Sequence, residues 1–316
     1  TGGHDAGLRA TASTELRDPA TGSWSSGPDM ATARELHAEV ALPDGSALVI
    51  GGVGRGGKSL ASAELFDPTA NAWSAAVPMA HARSAFGVAR LPDGNVLVVG
   101  GYGATGAPLA SAEVYDWRAK KWTDIDPLAD ARAKFTATAL DSGDVLVAGG
   151  FGAGGKSLAS AELFDPTTLR WSAAASMHLA RRLQTATLLG DGRVLIAGGF
   201  GSNGSTPVPD AEVYDPGSNA WSKVDPLAAG RDVAGAARLA DGRVIVLGGS
   251  SAGTRFVSTE LFDPVLRHWA DGPPLAVARA YFALLTLADQ RVIVIGGDDD
   301  RGDPVRGTEI LAPPPG

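Results

Sequence analysis

The sequence predicts an all-β fold of six blades, each of four antiparallel strands, and three observations predict it. Glycine pairs recur at Gly2-Gly3, Gly51-Gly52, Gly100-Gly101, Gly149-Gly150, Gly198-Gly199, Gly248-Gly249 and Gly296-Gly297, a period of 48 to 50 residues. Tryptophans keep step at Trp24, Trp73, Trp122, Trp171, Trp221 and Trp269, each six residues after an aspartate, with an arginine ten residues further on. No stretch shows helical periodicity, and the breaks between apolar runs carry Gly, Pro, Asp and Asn, the residues of tight turns. Strand-sized runs repeated at this interval make a β-propeller.

Within one repeat the elements follow in order. A first strand runs from about Ala85 to Leu91 and enters the turn Pro92-Asp93-Gly94. The second, Val96-Leu97-Val98-Val99, is continuously apolar, as a strand buried on both faces must be, and ends at a glycine pair. The third is Ala112–Asp116, and the fourth opens at Trp122. Six first, second and fourth strands are present but seven third strands, because Glu15-Leu16 and Glu309-Ile310 both match. The expectation is therefore one propeller domain over residues 1–316, closed by pairing N-terminal with C-terminal strands. Residues 280–297 would share a blade with Trp24, either 14–17 or 308–311 would be surplus, and 298–316 would form a closure segment and tail. Residues 56–69 and 154–167 are identical, which points to a recent duplication or to deliberate construction.

Composition narrows the function. Hydrophobic residues at 44% and charged residues at 20% are globular proportions. The net charge of −8, with no Lys/Arg block, argues against nucleic acid and acidic membrane surfaces as partners. No apolar run approaches the roughly 18 residues that span a bilayer. The absence of cysteine excludes disulfides, thiolate metal sites and cysteine nucleophiles. Five histidines without ligand spacing give no reason to expect a metal, and no cofactor is expected.

Repeated residues read as structural. A Trp between blades is core, and a glycine pair lets backbones cross closely. Glu64, Glu113, Glu162, Glu212 and Glu260 recur with the arginines Arg34, Arg83, Arg132, Arg181, Arg231 and Arg279, so a stitching ion pair is expected. Gly52–Ser59 and Gly150–Ser157 fit the phosphate-loop string G-x-x-x-x-G-K-S, yet a strand follows each where that motif needs a helix. Arg301-Gly302-Asp303 matches an adhesion tripeptide that composition alone can produce, and Asp298-Asp299-Asp300 reads as a solvated acidic turn without calcium-loop spacing.

Taken together, the apolar strand before Gly-Gly, Ser-x-Glu-[Leu/Val]-[Phe/Tyr]-Asp, the six-residue step to Trp and the following Arg resemble the kelch family along nearly the whole chain. Arg17, Trp117 and Gln290 depart from the pattern, replacing a third-strand aromatic, a Pro and a turn Gly. The resemblance implies a closed propeller whose first strands line a channel. Of the family's enzymatic branches, the copper-radical oxidases need a cysteine and the iron-dependent specifier proteins carry Glu-x-x-x-Asp-x-x-x-His. The sequence has neither.

Function is expected where the repeats disagree, on the long loops 53–61, 102–110, 151–159, 200–209, 250–257 and 298–307. After the glycine pairs stand Val53, Tyr102, Phe151, Phe200, Ser250 and Asp298; after the arginines stand Glu35, Ser84, Ala133, Arg182, Asp232 and Ala280. The resemblance implies that these two columns supply most contacts, as in kelch domains that capture peptides. Further in lie His37, Phe86, Phe135, Gln184 and Phe282, flanked by Lys134 and Tyr281. The expected site is an aromatic wall (Tyr102, Phe151, Phe200) with placed charges (Arg182, Glu35, Asp232). The expected function is non-catalytic binding of a peptide, protein loop or glycan by a monomer. Two alternatives stand beside it: an enzyme acting on a small molecule with Glu35, His37, Asp232 or Tyr281 as acid or base, and a structural or designed scaffold. The lack of cysteine and the modular repeats suit a secreted or periplasmic bacterial protein, and the 21 Arg to 6 Lys fit a GC-rich genome.

Overall fold

The computed structural model describes residues 1–202, 204 and 206–311. The chain is a six-bladed β-propeller of antiparallel sheets, without a helix among the described residues. Five sheets have four strands in simple sequential order, and a sixth has three. In the sheet of residues 87–125, Gly87–Arg90, Val96–Val99, Ala112–Asp116 and Lys121–Ile125 pair with Gly87 opposite Val99, Val99 opposite Ala112 and Ala112 opposite Ile125. These are the four strands anticipated from the sequence, with small shifts at their ends.

The last blade corrects the expected closure. Its second strand, Val292–Ile295, pairs with Thr308–Leu311 and not with an N-terminal strand. Glu15–Arg17 pairs instead with Trp24–Ser26 in a two-stranded sheet of its own, so residues 280–297 do not share a sheet with Trp24. Both candidates carry Thr-Glu-aliphatic, so side-chain pattern does not separate them. Chain connection does: residues 296–307 close a short loop, which costs less entropy than recruiting a strand from the far end of the chain.

Two compact units are distinguished, Thr1–Lys134 with Asp165–Trp171, and Phe135–Phe164 with Ser172–Gly316. In the first, Leu48, Ile50, Val96, Val98, Tyr115 and Trp122 form one core cluster. In the second, Leu146, Val194, Ile196, Tyr214 and Trp221 do the same. The four residues Val96–Val99 are wholly buried, each side chain contributing about 1.5–3 kcal/mol. Trp122 stands 4.9 Å from Tyr115, ring centroid to centroid, and its Nε1 donates to the Val77 carbonyl on the strand-to-strand connection of the preceding repeat. Trp221 repeats this with Tyr214 at 5.0 Å and the Ala175 carbonyl.

The expected ion-pair stitch is present in both units. Arg83 is fully buried; its Nη1 donates to the carbonyls of Gly100 and Ser111, and its Nη2 reaches Glu113 Oε1 at 2.7 Å. Glu113 also accepts the backbone N–H groups of Ala80 and His81. Arg34–Glu64, Arg181–Glu212 and Arg231–Glu260 repeat the arrangement at 2.8, 3.0 and 2.7 Å. Arg279 pairs with Glu309 at 2.6 Å, the side-chain counterpart of the C-terminal closure. The glycine pair is dictated by this crowding. Both Gly51 and Gly52 have positive φ, and a Cβ on them would lie 2.6 Å from the Arg83 carbonyl and 2.5 Å from the Glu35 carbonyl.

Candidate functional site

The residue after each glycine pair meets the residue after each repeat arginine through a pair of backbone hydrogen bonds. Glu35 exchanges them with Val53, Ser84 with Tyr102, Arg182 with Phe200, Asp232 with Ser250, and Ala280 with Asp298. The two variable columns are thus locked side by side, and their side chains project from fixed backbone.

The next residue in each repeat carries a feature hidden from sequence reading. Leu36, Ala85, Lys134, Leu183, Val233 and Tyr281 all have φ between 45° and 56°. For residues with a Cβ this left-handed conformation is strained, most of all for β-branched Val233. Hydrogen bonds from one repeat to the next hold it: Ala85 N–H donates to the Leu36 carbonyl, Lys134 N–H to the Ala85 carbonyl, and Val233 N–H to the Leu183 carbonyl. The turn throws its side chain outward, which leaves Leu36 and Tyr281 about half exposed.

In the second unit the variable residues build a basic and aromatic cluster. The Arg182 guanidinium lies 5.3 Å from the Phe151 ring centroid and 5.0 Å from that of Phe200, stacked against both. Its Nη1 donates to Ser157 Oγ at 2.9 Å and its Nη2 to the Gly204 carbonyl at 3.4 Å. No carboxylate lies within ion-pair distance of Arg182 among the described residues. Asp232 is buried, accepts a 2.6 Å hydrogen bond from Ser250 Oγ, and has its pKa raised by burial against the opposing pull of Arg255 and Arg182. Arg255 lies 5.9 Å from the Tyr281 ring, with its buried Nε unpartnered. Burial, then the charge of Asp232, pushes the Tyr281 phenol up. Gln184 is buried as well; its Nε2 donates to the Ala148 carbonyl, while its Oε1 has no partner.

The first unit holds the remaining anticipated residues. Lys134 Nζ sits 5.7 Å over the Tyr102 ring. Glu35 lies 3.4 Å from His4 Nδ1. Burial, reinforced by the charge of Arg34, lowers His37 to about 4, so its imidazole is neutral at pH 7. The sequence grouped Tyr102, Phe151 and Phe200 as one wall with Arg182 as a placed charge; the structure sets Arg182 against Phe151 and Phe200, while Tyr102 meets Lys134. The influence of Asp232 on Tyr281, and the parts played by Ser157 and Arg255, were not anticipated. Ser157 lies in a string shared with only one other loop, and Arg255 in a loop whose residues do not match those of its counterparts, so neither stood out.

Six sheets, five of them with a buried Arg–Glu pair, and their variable loops define a kelch-type propeller. The chain belongs to the kelch-repeat family: the KLHDC2/KLHL20/DRC7 Kelch-repeats domain matches residues 88–297, and the Kelch motif matches residues 36–80. Among solved structures it is similar to the "Structure of YjhT", at 17% identity and a TM-score of 0.70, covering 90% of this chain and 96% of that one. At that identity the likeness is one of fold. Comparison with curated proteins gave no match. Among the described residues no helix is long and apolar enough to cross a membrane.

Proposed function

We propose that this kelch propeller is a binding module whose long-loop face in the second unit captures an acidic group presented by a peptide, protein loop or glycan. The observation that carries this reading is Arg182, a cation stacked between Phe151 and Phe200 and held by Ser157 without a carboxylate partner. A guanidinium has five N–H donors in a planar fork. Two are engaged by Ser157 and Gly204, so the fork retains donors for a ligand carboxylate. The flanking rings offer a stacking surface to a sugar ring or an aromatic side chain. Kelch propellers serve generally in binding or scaffold roles, which agrees with this reading.

The test is a screen of the purified protein against arrayed acidic peptides and acidic glycans, with their neutral amide counterparts alongside. Acidic members should bind and amides should not. Arg182→Ala should abolish the signal at an unchanged melting temperature, and Lys120→Ala with Lys121→Ala should leave it intact. Binding that survives Arg182→Ala overturns the proposal. A second reading, acid catalysis on a small molecule in the same cluster, draws on Asp232, whose burial raises its pKa beside Ser250 and Tyr281. Turnover of a bound compound that Asp232→Asn removes without weakening binding would favour it.

A further inference from the structure

The first unit contains an open cleft of about 420 Å³ that shares no residue with the cluster around Arg182. Its walls are mainly apolar, from Ala12, Ala31, Ala33 and Leu60, and its charged lining residues are Arg55 and Lys58. No acid lines it, although the protein as a whole carries a net charge of −8. Asp5, whose carboxyl feels the Arg55 charge, accepts hydrogen bonds from the backbone N–H groups of Gly7 and Arg9.

The cleft is held in shape by its surroundings. Glu64, buried and paired with Arg34, accepts the N–H groups of Ala31 and Thr32, which fixes one wall. On the other, Gly54 N–H donates to the Lys58 carbonyl and Gly57 N–H to the Gly54 carbonyl, closing a turn that carries Arg55. Arg55 Nε donates to the Ala10 carbonyl at 3.3 Å, tethering the guanidinium across the cleft. This is one of the two loops whose sequence fits the phosphate-loop string. With two of its amides spent on its own turn and a strand following, charge is supplied by the two side chains. Blade by blade, the pair is confined to this loop among its near-aligned neighbours: Ala104 and Ala107 stand at these positions in the next, and Ala153 with Lys156 in the one after.

We propose that this cleft binds a small organic anion, an apolar body of aryl or short aliphatic type carrying one carboxylate or phosphate. The volume falls in the range of small-molecule pockets, the apolar walls suit the body, and Arg55 with Lys58 suits the head group. The head group's two sources share one chemistry, which the experiment separates. NMR titrations of the intact chain would use benzoate, phenyl phosphate and neutral benzamide as probes. Saturable shifts are expected at the amides of Ala12, Thr32 and Ala33 with the two anions and none with benzamide, and the tighter anion identifies the head group. Arg55→Ala with Lys58→Ala, which copies the side chains of the next blade's loop, should weaken binding at least tenfold without changing the melting temperature. Equal binding of benzamide, no saturable shift with either anion, or a double variant that binds within twofold of the parent would each overturn the proposal. Shifts confined to Phe151, Arg182 and Phe200 would overturn it too, while leaving the reading of that other cluster standing.

Discussion

Replacing Glu113 by alanine removes the acceptor of three hydrogen bonds and the counter-charge of a guanidinium that solvent does not reach. Glu113 and Arg83 are both fully buried, and the pair is closed at 2.7 Å. After the substitution Arg83 keeps the Gly100 and Ser111 carbonyls but no anion within ion-pair distance, while the Ala80 and His81 N–H groups lose their acceptor. Breaking a buried pair from one side costs about 3–5 kcal/mol. The orphaned N–H groups belong to an exposed connection that water can reach, so they add little. The expected loss is therefore about 3–5 kcal/mol, read from urea denaturation with an unchanged slope. Adding Arg83→Met should return part of it, since an apolar pair of similar volume carries no stranded charge. Glu35, partly exposed and lying 3.4 Å from His4, should cost less than about 1 kcal/mol when changed to alanine. Equal losses at Glu113 and Glu35, or no recovery in the double variant, would refute the assignment of structural and variable acids.

Two further outcomes are expected. His37 has its folded pKa lowered to about 4 from 6.5, so the unfolded chain takes up a proton first as pH falls; its contribution is complete above pH 6.5 and is lost between there and about pH 4. The loss is roughly 3 kcal/mol at 1.36 kcal/mol per unit, and His37→Phe, the residue at Phe86, Phe135 and Phe282, should flatten that part of a stability-against-pH curve. At the closure, Glu309→Ala should destabilise by roughly 2–4 kcal/mol because it strands Arg279. Glu15→Ala, on an exposed position, should cost under about 1 kcal/mol, and the reverse ranking in calorimetry would show that Glu15 closes the last blade.

What sequence alone determined is the blade. A strand buried on both faces announces itself as Val96–Val99, a backbone crossing demands Gly51 and Gly52, and Trp122 with its aspartate six residues before marks the outer hairpin. These are local requirements, met within a few residues and repeated six times, so spacing was enough to read them. The Arg–Glu stitch was legible for the same reason, because one partner accompanied the other in every copy. Tertiary structure decided the rest. Thr308–Leu311 and Glu15–Arg17 satisfy the same local pattern, and only the connectivity of the folded chain chose between them. The left-handed backbone at Ala85, Lys134 and Val233 leaves no trace in residue type, because hydrogen bonds between successive repeats, and not glycine, hold it. The Arg182 stack, and the meeting of Asp232, Arg255 and Tyr281, join residues far apart in the chain. Loop side chains are not periodic, and only the folded geometry decides which of them converge.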